Sequence, residues 1–197
     1  MEITVKMSGD IARFLESAKK PILEAASRAM SVLLIKHFRD RNRTRARRSG
    51  WPKTNYWADV AQTVTSEADG DKAVATIAKE GVRLHWLGGV VRPKNGHKAL
   101  AIPADPSVQG VWPSEYRGKP GAKPTFLVWK KGENTGMIAT REKKGKGIIP
   151  LWWLVSKTTH QADPSVIPEK DEFSTAISKA CNRVIKALQS GQIGAGA

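Results

Sequence analysis

The chain has 197 residues, 40% of them apolar and 26% charged, and its 33 Lys and Arg against 18 Asp and Glu leave a formal net charge of +15. This is a globular composition large enough to bury a core without covalent staples. The single cysteine, Cys181, excludes an internal disulfide, and no apolar run reaches the roughly 20 residues that cross a bilayer, so the chain is expected to be neither secreted nor integral to a membrane. Excess positive charge selects polyanionic partners: nucleic acid, an acidic protein surface or anionic lipid.

Ile3, Val5 and Met7 alternate with polar neighbours as in a short half-buried strand. A helix then follows, with Ser8 or Asp10 as cap and Pro21 as a kink or restart. Leu23, Ala26, Met30, Leu33 and His37 recur at steps of three and four and form its buried stripe, with Glu24, Arg28 and Ser31 turned away. His37, at the stripe's edge, reads as a structural histidine.

Residues 39–53, RDRNRTRARRSGWPK, set Arg39, Arg41, Arg43, Arg45, Arg47, Arg48 and Lys53 against Asp40 alone. Like charges on every side predict a stretch that stays extended or mobile unless something acidic meets it: either a solvated loop, or a basic arm for DNA phosphates or an acidic neighbouring subunit, since guanidinium pairs with either anion. Trp51 and Trp57 are the aromatics that would anchor it at an interface.

A short helix is predicted over 54–61, then a hairpin with strands 63–67 and 72–78 about an Asp69-Gly70 turn. Further strands are predicted at 90–92, 99–103, 125–129, 136–140 and 149–155, with at least one of Trp152 and Trp153 in the core. The stretch 106–123, rich in Pro and Gly, reads as a long surface excursion, and 141–146 as a basic hairpin tip. A final helix begins near Pro168, acidic in its first turn and basic towards its end, with Phe173, Ile177, Ala180, Val184 and Leu188 inward; residues 191–197 form a tail. The fold class is α+β: a mostly antiparallel sheet flanked by a long N-terminal and a C-terminal helix, in one domain over 1–190.

The four histidines, at 37, 85, 97 and 160, include no pair at the i, i+4 spacing that holds zinc on one helix face. No nucleophile elbow or nucleotide loop occurs, and His160-Gln161-Ala162-Asp163 has no nucleophile beside it. The expectation is therefore a protein that is not an enzyme, without metal or cofactor. In HWLGGVVRPK, residues 85–94, Gly88 and Gly89 permit positive φ and a sharp reversal; Pro93 begins a turn over 93–96, and 98–103 returns as a strand.

The order His85-x-x-Gly88-Gly89-x-Val91-x-Pro93-Lys94, followed by Lys98-Ala99-Leu100-Ala101-Ile102-Pro103, resembles a segment of the tail-completion and virion-morphogenesis proteins of tailed bacteriophages. The basic, Trp-containing HFRDRNRTRARRSGWPKTNYWADV and the apolar LWWLVSKTTHQADPSVIP agree with the same family. The resemblance implies a structural virion protein that completes the tail or joins it to the head at the neck. It further implies a ring of copies, six by family analogy, contacts with neck, portal-side or tail-tube proteins and with packaged DNA, and residence in the virion after assembly in the host cytoplasm. The alternative from another class is a DNA-binding or DNA-packaging accessory protein of no sequence preference, to which the net charge points.

Overall fold

The computed structural model describes residues 9–45, 49–130, 135–142 and 147–190; the strand expected around Ile3 to Met7 and the tail at 191–197 lie outside them. Helix α1 spans Gly9–Thr44, α2 Tyr56–Gln62, and strands β1 (Val64–Asp69) and β2 (Lys72–Ile77) form an antiparallel hairpin. Helix α3 (Val82–Leu87) leads to β3 (Gly89–Val91) and β4 (Leu100–Pro103). Helix α4 (Pro113–Tyr116), strands β5 (Thr125–Trp129), β6 (Thr135–Arg141), β7 (Ile148–Val155) and β8 (Thr158–His160), and helix α5 (Lys170–Gln189) complete the order. The class is α+β, as expected.

Where the length suggested one domain, the chain forms two compact units. The described residues within 49–54 and 87–163 build a sheet unit with its own core, while 9–45, 55–86 and 164–190 form a helical unit. The physical reason lies in the burial pattern, since each unit seals a separate apolar cluster.

In the helical unit, α1 packs against α5, α2 and the β1–β2 hairpin. Its core joins Leu34 and Phe38 of α1 to Trp57, Val60 and Ala61 of α2, with Val64, Val82 and Val166. The Phe38 and Trp57 rings stack at 5.8 Å between centroids and 8° between planes. The most buried line of α1 runs through Ser27, Ser31, Leu34 and Phe38, one residue on from the predicted stripe, of which Ala26 is buried as expected and Leu23, Met30, Leu33 and His37 are half-buried. Ser31 thus faces inward, contrary to expectation. It can do so because Ser31 Oγ donates to the Arg28 carbonyl (2.9 Å) and Ser27 Oγ to that of Glu24 (3.0 Å), leaving small, satisfied side chains at the contact.

Pro21 removes one backbone donor from α1, yet the helix continues through it and does not restart. The hairpin turn is Gly70-Asp71, between paired Asp69 and Lys72, with Gly70 at φ +55°. Asp71 of the turn forms an ion pair with Lys19 of α1. That pairing raises the pKa of the ammonium and lowers that of the carboxyl. Helix α5 carries Asp171 and Glu172 in its first turn and Lys186 in its last, which suits its dipole. Its predicted stripe is half-buried, and so is Cys181, whose thiol lies 3.9 Å from the Ile22 carbonyl.

The sheet unit contains an antiparallel four-stranded sheet, β4-β7-β6-β5, and a two-stranded pair, β3-β8. Pro150 sits in the central strand β7, where a proline is tolerated because the register shifts at Ile138/Ala139 and leaves a bulge. The pleat separates two neighbouring tryptophans. Trp152 is 1% exposed beneath Val108 and Tyr116, whereas Trp153 is 48% exposed on the opposite face. The stretch 106–123 is not merely a surface excursion: Val108 is fully buried, and the Tyr116 ring meets Trp152 edge-on at 5.3 Å. Asp105 caps the 3-10 turn Pro106–Val108 by accepting from the Ser107 N–H (2.9 Å) and hydroxyl (2.6 Å), and these two bonds hold its carboxyl below the usual range.

Candidate functional site

The Gly-Gly reversal has a steric explanation. Gly88 takes φ +70° and Gly89 φ +147°, and a Cβ on Gly88 would lie 2.7 Å from the Ala162 nitrogen and 2.8 Å from the His160 carbonyl oxygen. Strand β3 then pairs with β8, Gly89 opposite His160. Pro93 is half-buried just before a tight turn in which Asn95 (φ +55°) and Gly96 (φ +75°) are both left-handed and the His97 N–H donates to the Lys94 carbonyl at 3.1 Å. The strands either side of this turn do not pair with each other as a simple hairpin would. β4 pairs with β7, so the segment HWLGGVVRPK…KALAIP links two sheets.

The histidines are dispersed among structural roles. His37 Nε2 donates to the Ser165 carbonyl at 3.0 Å, the structural part expected of it. His85 lies against the Tyr56 and Trp57 rings, 5.3 and 5.2 Å between centroids. Tyr56 donates its hydroxyl to the Glu80 carbonyl (2.9 Å), and burial pushes its pKa up. His97 is exposed in the Asn95-Gly96 turn, and His160 pairs with Gly89. Among the described residues no group of three or more His, Cys, Asp or Glu side chains is placed to hold a metal, and no helix is long and apolar enough to cross a membrane.

The basic arm departs from expectation over its first half. Residues 39–44 are helical, forming the end of α1. Several contacts hold the segment in place. Arg41 places its guanidinium 4.8 Å from the Trp57 ring centroid and donates from Nη1 to the Ser165 carbonyl (3.2 Å) and hydroxyl (3.0 Å). Arg43 pairs with Asp40 at 3.1 Å, and the Thr44 hydroxyl donates to the Asp40 carbonyl at 3.0 Å. Cations at a helix C-terminus also suit its dipole. Arg39, Arg43 and Arg45 are exposed. Arg47 and Arg48 lie outside the described residues; exposed Lys53 and half-buried Trp51 belong to the sheet unit. Trp57, expected at an interface, is 3% exposed in the helical core, because its ring is both stacked on Phe38 and covered by Arg41.

Two surfaces offer contact instead. On the outer side of α1, Lys36, Arg39 and Arg43 flank Val32 and Ile35. The row continues towards Arg28 and is joined by Lys179 and Arg183 of α5. The sequence reading missed this row because it took Arg28 as a residue turned away and the α5 cations as dipole complements; the spacing 28, 32, 36, 39, 43 was its visible trace. On the sheet, Val128, Met137, Trp153 and Ile102 are paired in succession and so form one cross-strand row. Val128, Met137, Trp153 and Val155 line a shallow apolar depression there. Leu127 and Trp129 of the edge strand β5 and Ile148 of β7 are about half exposed. Compared with family models, curated proteins and solved structures, the chain matches none of them.

Proposed function

We propose that this chain is a structural component of a bacteriophage virion that completes the tail or joins it to the head at the neck, and that copies of it associate side by side in a ring. The observation that carries the assembly part is the apolar row Val128, Met137, Trp153 and Ile102 on one face of the four-stranded sheet, where Trp153 is exposed and the other three are half-buried, together with the exposed Leu127 and Trp129, which the edge strand presents on its other face. A partly exposed apolar row with a tryptophan at its centre offers a surface for association, and an edge strand presents backbone groups that a neighbour can pair. Contacts of one surface with a different surface on the next copy close a ring when the rotation per subunit divides a full turn. The virion part is supported by the segment from His85 to Pro103, whose glycines act as a sheet-linking reversal.

In this reading the sheet supplies the contacts between copies, and the basic outer side of α1 meets acidic neighbours or packaged DNA. The rival reading, a free DNA-binding protein, draws on the net charge of +15. Titration of the purified chain with duplex DNA at rising salt separates them. The proposal expects weak binding that disappears near physiological salt, with light scattering showing multiples of the 21.6 kDa subunit that are lost in Trp153→Asp. Tight DNA binding by a lone subunit at that salt would overturn it.

A further inference from the structure

The outer seam of α1 and α5 is a groove with an apolar floor and a cationic rim. From α1 the floor takes Ala25, Ala29 and Leu33, and from α5 it takes Ala176, Ala180 and Val184. Alanines at steps of four on both helices leave the seam shallow, open enough for a third helix to lie along it. Val32, on the α1 lip, is 65% exposed, the largest exposure of any large apolar side chain among the described residues. Around this floor stand Arg28, Lys36, Lys179 and Arg183, against the single carboxylate of Glu24. Glu24 lies 3.8 Å from Arg28, while Lys36, Lys179 and Arg183 have no ion-pair partner among the described residues.

We propose that this groove is a docking site for an acidic amphipathic helix of a different protein. The apolar floor takes the helix's hydrophobic face at i, i+3, i+4 and i+7, and the rim pairs with carboxylates on its flanks. Charge decides between occupants. A second copy would bring the same excess of cations to the groove, and the whole chain carries +15, so like charge opposes self-docking there. Nucleic acid would satisfy the rim but leave Val32 and the alanine floor in water, since phosphates have no use for them. An acidic amphipathic helix satisfies both parts. The inference rests on the helical unit alone and stands independently of the virion reading.

The test uses the full chain and a fluorescent synthetic helix with leucine along one face and glutamate on both flanks, titrated and read by anisotropy. Poly-glutamate of equal charge, a lysine-flanked version and duplex DNA serve as competitors. The expected result is saturable binding that weakens with salt, is displaced poorly by poly-glutamate, and falls about tenfold or more in Val32→Glu. The double variant Lys179→Glu with Arg183→Glu should also weaken it about tenfold, since two charges are reversed at the rim. Both variants change exposed or rim side chains and should melt at the wild-type temperature, so lost binding is not lost folding. Absence of peptide binding, equal binding of poly-glutamate, indifference to Val32→Glu, or a self-association abolished by Val32→Glu would each overturn the proposal. So would duplex DNA binding that depends on Val32.

Discussion

The two basic regions of α1 differ in what their cations do. At its C-terminal end, where the sequence is densest in arginine, Arg41 is drawn onto Trp57 and Ser165, and Arg43 is engaged by Asp40. Along the middle of the helix, where cations are sparser, Arg28 and Lys36 line an uncovered apolar groove with Lys179 and Arg183 of α5. Density of charge in a sequence therefore does not by itself locate available charge: Arg39 at the dense end is exposed, and Arg28 in the sparser middle lies 3.8 Å from Glu24. What decides is whether a carboxylate, a carbonyl or an aromatic face lies within reach once the helix has formed.

Substitutions can break or sharpen this contrast, and the largest effect falls on the platform itself. Trp57→Ala removes a ring that is stacked on Phe38 and covered by Arg41, and should cost about 3–5 kcal/mol in urea unfolding. A loss below about 1 kcal/mol would return Trp57 to the role of interface anchor. Gly88→Ala gives the sheet unit a comparable test, because the new Cβ meets backbone at 2.7 and 2.8 Å in a left-handed conformation. We expect about 2–4 kcal/mol there. Both figures apply to whichever unfolding transition reports the unit concerned.

Within the arginines the contrast becomes an order of costs. Arg41→Ala should lose about 1–2 kcal/mol through its ring contact and its bonds to Ser165. Arg39→Ala and Arg43→Ala should each stay within about 0.5 kcal/mol, since both are exposed and the Asp40 pair is a surface one. Equal costs at all three positions would erase the distinction between absorbed and available cations. The smallest effect concerns Asp105. Its carboxyl is stabilised as the anion by Ser107, so its folded pKa lies below the unfolded value near 3.8. The stabilisation is complete above that unfolded value and is lost as pH falls below it through the lower, folded pKa. Comparison of wild type with Asp105→Asn should show a stability difference that narrows as pH drops below about 4.

Much of the architecture was legible because period-2 runs and turn residues act locally. Strand β5 falls on the predicted residues, β7 begins one residue early, and the two positive-φ glycines at 88 and 89 stand where the reversal was expected. The failures share another cause. Most of the buried line of α1 is displaced by one residue because two serines satisfy their hydroxyls on their own helix, an option that hydrophobic periodicity does not register. Trp57 looked like an interface residue because its partner Phe38 lies 19 positions away across an arginine-rich link. The division into two units was hidden because α5, from the end of the chain, packs on α1, from its beginning. The groove was missed for the same reason, as half of its rim comes from each helix.

The proposal that the chain is a structural part of a bacteriophage virion is tested most directly by imaging the particles, if any, that form when the genome encoding it is expressed. The account predicts density at the junction of head and tail in a closed ring, each subunit fitting the paired α1 and α5 helices and the four-stranded sheet. Infectious particles whose neck and tail are fully accounted for by other proteins, with this chain absent from them, would contradict it.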